Sequence, residues 1–270
     1  MIKVLHVLDI AGVSSILTHY YNKVGKGKAD LIYHQKNNIS SEISKFYEGK
    51  SFSQFRFLLM AGLKKSMKCD IIHIHGAEIL IPLFKITGKK IVLHYHGSDI
   101  NEEKRSNSIK RIICRSMADL IIYNGKKMEV KIKTIKKIRK EYLPNPVDIE
   151  HFHPIMQKKI GSVSFVSTNL DKEKTIASIQ SISDAEIIDL NLQHIPYENM
   201  PEFLSKFETY IDVKIMSWGD ILPDLSTTAL QALACGCNVY HSGQILKEFP
   251  EEHRPDKIIE KLDLFYKEIL

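Results

Sequence analysis

The sequence has few cysteines and no long apolar run. Its cysteines are Cys69, Cys114, Cys235 and Cys237. Because they form neither a CxxC pair nor an even framework, they favour reduced thiols in a cytoplasmic protein over a secreted disulfide scaffold. No run approaches the roughly eighteen uncharged apolar residues that a membrane-spanning helix requires. Residues 1–12 mix apolar and charged positions, which predicts a first strand and argues against a signal peptide.

The composition is otherwise that of a globular protein, with one concentrated patch of positive charge. The chain has 270 residues, of which 44% are apolar, and a formal net charge of +6. This length allows one large domain or two small ones. The segment 126–140 is rich in lysine, and Ile132, Ile135 and Ile138 recur within it at intervals of three. It is either a solvated basic face or a surface for anionic lipid headgroups or polyanions.

Strand, glycine turn and helix alternate along the first half of the chain. Near-continuous apolar runs occur at 2–10, 29–34, 70–75, 90–96 and 118–123. Such runs indicate parallel strands that are covered on both faces. Helices are predicted at 39–48 and 52–68. The alternation predicts a parallel α/β domain.

The same alternation restarts after a segment that contains two prolines. The X-Pro steps within 139–154 favour an extended linker. Beyond it, strands are predicted at 162–167, 185–190 and 209–214, and helices at 171–182, 198–207 and 255–270. We therefore predict an α/β fold of two Rossmann-like domains that face each other across a cleft. The predicted parts are an N-terminal domain at 1–145, a linker at 146–154, a C-terminal domain at 155–250, and a segment at 251–270 that packs back toward the N-terminal domain.

The stretch 222–243 combines a polar helix start with an apolar strand. Ser226 is a natural N-cap, because its hydroxyl can accept a hydrogen bond from a free N–H of the first turn. That turn carries no acid, so its N–H groups and the positive end of the helix dipole are available to an anion such as a phosphate. The simpler interpretation is a capped core helix. Lys174, at the first strand-to-helix corner of the second half, is either an exposed lysine or a second phosphate ligand.

Glycine and histidine stand where the predicted strands of the first half end. Gly12, His75 and His96 lie at or just past these carboxyl ends, where open α/β sheets bind ligands. We expect Gly12 to let the backbone approach a ligand, and Ser14 or Ser15 to cap the helix that follows.

Two His-x-His pairs leave a second kind of chemistry open. His73 and His75 share one face of a strand, and His94 and His96 share one face of another. Four histidines on neighbouring strands are a possible metal cluster, as in a metal-dependent hydrolase. The preferred interpretation packs His73 and His94 in the sheet, lets His75 and His96 line the cleft, and assigns no metal.

Taken in order, these segments resemble the GT-B glycosyltransferases, in particular glycosyltransferase family 4, also called glycosyl transferases group 1. The similarity spans nearly all 270 residues. It is carried by the turn Ala11-Gly12-Val13-Ser14, the strand end His96-Gly97-Ser98-Asp99, the run 143–154, the segment 195–207 and the motif 225–239. The last motif resembles that of a compact, archaeal-like subgroup.

The resemblance implies a hexosyltransferase-type enzyme that uses a UDP- or GDP-linked sugar as its donor. It implies retention of configuration, no cofactor, no metal, and a glycan or lipid-linked acceptor. It also implies that His96 contacts the donor sugar, Lys174 neutralises the leaving diphosphate and Gln231 reaches the ribose. The expected donor-binding residues are Gly12, Ser14, Asp224, Leu225, Ser226, Thr227 and Gln231, and the expected acceptor-side residues are His75, Ser98 and Asp99. We expect no nucleic-acid partner, and a cytoplasmic protein with weak contact to the inner membrane face through Lys126–Lys140.

The sequence departs from the family pattern at three positions. Gln231 stands where the family has the second of two glutamates, and Pro223 stands at the first, with Asp224 beside it. Thr168 or Asn169 replaces the family's arginine. Glutamine hydrogen-bonds a ribose diol only as a neutral partner. The departures leave open a GT-B-like accessory protein that binds a nucleotide sugar without turnover, while the histidine pairs leave open the hydrolase.

Overall fold

The computed structural model describes residues 1–35, 39–97, 100, 108–135, 137–155, 160–167, 170–217, 219, 221 and 223–270. The chain divides into two compact units. The first unit consists of Met1–Pro146 and Pro255–Leu270, and the second of Val147–Arg254. Within the described residues, no helix is long and apolar enough to span a membrane.

Strands and helices alternate through both units. The strands are β1 (Ile2–Val7), β2 (Gly27–His34), β3 (Lys50–Phe52), β4 (Ile71–His75), β5 (Lys90–Tyr95), β6 (Leu120–Tyr123), β7 (Arg139–Tyr142), β8 (Ser162–Val166), β9 (Glu186–Asp189), β10 (Thr209–Ile211), β11 (Asn238–His241) and β12 (Gln244–Leu246). The helices are α1 (Val13–Lys23), α2 (Ile39–Phe46), α3 (Phe55–Ser66), α4 (Ile81–Lys85), α5 (Ile109–Arg115), α6 (Lys126–Lys133), α7 (Lys172–Gln180), α8 (Met200–Ser205), α9 (Thr227–Ala234) and α10 (Pro255–Ile269). Short 3₁₀ turns lie at Glu78–Leu80, Tyr197–Asn199 and Glu251–His253.

The first unit is built on a seven-stranded parallel sheet in the order β3-β2-β1-β4-β5-β6-β7. The central strands β4, β5 and β6 are buried on both faces, as their apolar runs predict. Helices α1 and α10 cover one face. Tyr21 and Tyr266 meet there edge to face, with ring centroids 5.7 Å apart. The Tyr21 hydroxyl also donates to Asp263 at 3.2 Å, which ties α10 to α1.

The second unit has a five-stranded sheet in the order β12-β11-β10-β8-β9. Four strands are parallel, and β12 folds back antiparallel on β11. One apolar cluster of this unit centres on Val166, Leu170, Ile179 and Ile211. Both sheets are of the parallel, helix-connected kind that the alternating sequence predicts.

Three strands were not expected from the sequence: β3, β7 and β12. Each lies at the edge of its sheet. Edge strands are short and polar in many proteins because charge discourages pairing with another chain. In β7 all four residues are only half-buried, and Arg139 forms ion pairs with Glu141 and Glu268. The segment predicted as linker from residue 139 therefore begins inside the first sheet.

The isoleucine stripe of the basic segment faces inward. Ile132 is fully buried, and Ile135 and Ile138 pack against the core of the first unit. Lys133 points outward and pairs with Glu129 at 2.7 Å. The spacing of three therefore reflects burial in this core, and contact of Lys126–Lys140 with an anionic membrane stays a prediction.

Candidate functional site

Five histidines lie together on one face of the first sheet. His6 is on β1, His73 and His75 are on β4, His94 is the penultimate residue of β5, and His96 directly follows that strand. Parallel register pairs His6 with His73 and His75 with His94, so the rings project to the same side. Ring centroids are 4.4 Å apart for His73 and His75, and 4.3 Å apart for His94 and His96. The sequence alone indicates two histidine pairs and predicts no role for His6.

Hydrogen bonds connect three of these rings. His6 Nδ1 is 3.0 Å from His75 Nε2, and His75 Nδ1 is 2.9 Å from His96 Nε2. Burial lowers the pKa of His6 and of His96 to about 3, so both rings are neutral at pH 7. His75 is fully buried, which makes it a residue of the sheet interior and corrects the expectation that it lines an open cleft.

His96 is held at both of its ring nitrogens. Its Nε2 contacts His75, and its Nδ1 is 3.4 Å from the Asn124 side-chain nitrogen. Asn124 in turn donates to Asn145 at 2.5 Å. A sugar hydroxyl that reaches His96 must therefore displace or share one of these partners. Ser98 and Asp99, expected on the acceptor side, lie outside the described residues.

The glycine turn after β1 is shaped by packing. Gly12 has φ +77°, in the left-handed region that favours glycine. A Cβ added at Gly12 would stand 2.6 Å from Ile43 Cγ2 of α2. The close approach that requires glycine is thus made by Ile43, where the sequence suggested a ligand.

An aspartate stands where a serine cap was expected at the start of α1. Gly12 is the N-cap residue, and neither Ser14 nor Ser15 caps the helix. The Asp9 carboxylate instead accepts hydrogen bonds from the Ser14 N–H at 2.9 Å, from the Ser15 hydroxyl and from Ser44 at 2.7 Å. Because an acid already satisfies this helix start, it is a poorer phosphate site than the sequence suggested.

The helix start in the second unit has the cap that the sequence predicts. Ser226 Oγ accepts from the Ala229 N–H at 3.1 Å and donates to Asp212 Oδ1 at 2.7 Å. The Ser226 N–H donates to Asp212 Oδ2 at 3.0 Å. His241 Nδ1 lies 3.1 Å from the same carboxylate. Asp224, Leu225, Thr227 and Gln231 are half-buried around this start.

A small charge network supports this cap. Burial by itself raises the Asp212 pKa, but hydrogen bonds from His241 and Ser226 and the charge of Lys214 outweigh burial and lower it overall. The hydrogen bond to Asp212 raises the pKa of His241. Burial lowers the pKa of Lys214, and Asp212 opposes that effect. Roles for Asp212, Lys214 and His241 were not predicted from the sequence, although polar residues at the ends of β10 and β11 were an available signal.

Lys174 lies in the first turn of α7 and is 69% exposed. Its ammonium pairs with Asp171 at 2.9 Å, and the Asp171 side chain also caps α7 by accepting from the Lys174 N–H at 3.2 Å. The structure therefore places Lys174 in a local ion pair, separate from the hydrogen bonds that join Ser226 to Asp212. Thr168 and Asn169, one of which stands where the resemblance leads us to expect an arginine, lie outside the described residues.

Comparison with known proteins gives matches at the level of structure. No family model matches the chain, and no curated protein matches its sequence. A glycosyltransferase from Rickettsia africae ESF-5 is similar with a TM-score of 0.55 and 12% identity, over 99% of this chain and 98% of that one. S. aureus MnaA, solved with UDP, is similar with a TM-score of 0.50 and 10% identity, over 100% of this chain and 89% of that one. Identity this low shows the fold alone, and on that ground the chain has the α/β fold of the GT-B class.

Proposed function

We propose that the chain is a retaining, metal-independent glycosyltransferase of the hexosyltransferase type. It moves a sugar from a UDP- or GDP-linked donor to a glycan or lipid-linked acceptor, in the manner of the compact family 4 enzymes that its sequence resembles. The observation that carries the proposal is the Ser226-capped helix start of the second unit. The R. africae glycosyltransferase and the MnaA structure share the fold, and the MnaA structure, solved with UDP, supports a nucleotide-bound substrate.

The start of α9 has the features of a diphosphate site. Its first turn contains no acidic residue, and the N–H groups of Thr227 and Thr228 precede the first bonds within the helix. These groups carry the positive end of the helix dipole. The Asp212 carboxylate accepts from the Ser226 N–H, and Lys214 and His241 offset part of its negative charge.

Sugar transfer from a nucleotide leaves negative charge on the departing diphosphate. With no metal to take that charge, the protein supplies cations and N–H donors that are already in position. The helix start at Ser226 supplies the donors, and Lys174 supplies a cation once it exchanges Asp171 for phosphate. Gln231 hydrogen-bonds the ribose, and His96 positions the transferring sugar.

An accessory protein that binds the nucleotide sugar without turnover is the second candidate. The ion pair between Lys174 and Asp171 favours it, because this lysine must break a contact before it can assist a leaving group. The neutral Gln231 also favours it.

Gln231→Glu restores the residue found in the family, and we expect donor affinity to rise, or activity to stay unchanged, with the fold intact. A fall in both donor affinity and activity would argue against the ribose role.

A donor screen separates the two candidates. Purified chain is incubated with a panel of nucleotide sugars, with and without glycan acceptors, and release of UDP or GDP is measured. Acceptor-dependent release supports the transferase, and tight donor binding without release supports the accessory protein. EDTA should not lower turnover. Activity that disappears with EDTA and returns with Mn²⁺ would rule out the metal-independent mechanism.

Location in the cytoplasm, at the inner membrane face, stays a proposal. The four cysteines are free thiols in the structure, as a reducing compartment allows. Because the isoleucines at 132, 135 and 138 face the core, contact between Lys126–Lys140 and an anionic membrane would rest on charge alone. Such binding weakens as salt increases. Vesicle flotation at low and high salt measures it.

A further inference from the structure

Three histidines at the carboxyl edge of the first sheet have the arrangement of a metal site. Their candidate ligand atoms, one each from His75, His94 and His96, all lie within 4.8 Å of one another. The closest pair, His75 Nδ1 and His96 Nε2, is 2.9 Å apart. Two imidazole nitrogens bound to one tetrahedral Zn²⁺ at 2.0–2.1 Å are separated by about 3.3 Å. Small side-chain movements would therefore bring the nitrogens to ligand positions.

His94 supplies an independent reason to expect a ligand. Its side chain is 1% exposed, and neither of its ring nitrogens has a hydrogen-bond partner among the described residues. A neutral imidazole has one donor and one acceptor, and no described residue bonds either of them in His94. Buried polar atoms in folded proteins nearly always have partners, and an exception calls for a specific explanation. A metal ion held by one of these nitrogens is such an explanation.

The surroundings suit neutral imidazole ligands. Outer partners orient two of the rings, since His75 Nε2 lies 3.0 Å from His6 Nδ1 and His96 Nδ1 lies 3.4 Å from Asn124. Metal-bound histidines generally have such a partner at their second nitrogen.

We propose that His75, His94 and His96 bind one divalent transition-metal ion, with Zn²⁺ as the expected occupant. An all-imidazole ligand set suits Zn²⁺, Cu²⁺ or Ni²⁺ and does not suit Mg²⁺ or Ca²⁺. Three protein ligands leave a fourth position for water or another small ligand. The ion takes no part in the departure of the diphosphate. Because it shares His96 with the proposed donor site, a bound ion competes with the sugar for that ring.

The test is a Co²⁺ titration of the full chain, with any affinity tag removed and bound metal first stripped by a chelator. Four-coordinate Co²⁺ gives intense visible bands, and we expect these bands to saturate at one equivalent and to disappear when Zn²⁺ is added. His94→Phe keeps a flat ring and removes both nitrogens, and it should weaken Co²⁺ binding by about 100-fold or more. His19→Phe changes an exposed histidine of the same unit and should bind Co²⁺ as the wild type does.

Two results overturn the proposal. One is a wild-type chain that shows no saturable Co²⁺ bands, and the other is a His94→Phe chain that binds Co²⁺ as tightly as the wild type. If circular dichroism shows that His94→Phe does not fold, His96→Phe at the less buried end of the row replaces it, with the same expected loss. No donor or acceptor is present in the titration, so its outcome is independent of whether the chain transfers sugar.

Discussion

Replacing Ser226 with alanine tests how the proposed donor helix is held. The hydroxyl makes two bonds, one to the Ala229 N–H and one to the buried Asp212 carboxylate. Loss of a serine N-cap costs about 1 kcal/mol. A buried acceptor that loses its donor costs about 1–3 kcal/mol more. Since Asp212 keeps its bonds from His241 and the Ser226 N–H, we expect the lower part of the sum, about 2–3 kcal/mol.

The loss should be confined to the second unit. Because the chain has two units, a single unfolding transition is not assured. Hydrogen exchange in urea, followed by mass spectrometry on peptides that contain β8 and β10, gives a free energy of opening for this unit alone. Ser226→Thr keeps the hydroxyl and should stay close to wild type.

Ser181→Ala is the matched control. Ser181 is an exposed serine of the same unit, and its hydroxyl donates only to the nearby Ser178 carbonyl at 2.7 Å. Its replacement should change the free energy of opening by less than about 0.5 kcal/mol. If Ser226→Ala is no more destabilising than this control, the bond between Ser226 and Asp212 does not hold the helix start as described.

Three further predictions concern other parts of the two units. Because the pKa of His241 is raised, its protonation stabilises the second unit fully below pH 6.5, and this stabilisation declines as pH rises through the raised value. Because the pKa of Asp212 is lowered, its ionisation stabilises the unit above pH 3.8, and this stabilisation is lost in stronger acid. The urea midpoint of the wild type should therefore be higher than that of His241→Gln, and the difference should be larger at about pH 5 than at about pH 8. An equal difference at the two pH values would contradict the pairing of His241 with Asp212. Lys174→Ala should lower kcat more than donor affinity, and His96→Ala should slow transfer by about 100-fold. If both variants turn over at the wild-type rate, Lys174 and His96 are not part of the donor site. Gly12→Ala should destabilise the first unit by about 1–3 kcal/mol in urea, because alanine is strained at positive φ and contacts the isoleucine packed there, whereas an unchanged midpoint would mean that α2 moves freely.

The sequence predicts the buried parts of the fold better than its edges. The central strands are continuous apolar runs, and they appear in the structure at the expected positions. The edge strands β3, β7 and β12 have no such pattern, because only a few of their side chains contact a core. Periodicity reports burial, and an edge strand is defined mainly by backbone bonds to one neighbour.

The candidate site divides in the same way between local and distant interactions. The Ser226 cap depends on residues three positions apart and was predictable. Asp212, which accepts from Ser226, lies 14 residues before it in the sequence, and His241 lies 29 residues after Asp212. Contact between these side chains therefore depends on the order of the strands in the sheet. The role of His6 was hidden for the same reason, since it joins the other histidines only because β1 pairs with β4.

The position of α10 has a consequence for how the chain folds. This helix closes one face of the first sheet, and its Tyr266 hydroxyl lies 2.6 Å from His73 Nδ1, 193 residues earlier in the chain. The Tyr21–Asp263 bond spans 242 residues. Contacts this distant in sequence form late, because the loop between them must first be closed. The second unit is continuous and can complete its core without α10. The unit that is begun first is therefore completed last, and until then the face of its sheet beside α1 is exposed to chaperones and proteases.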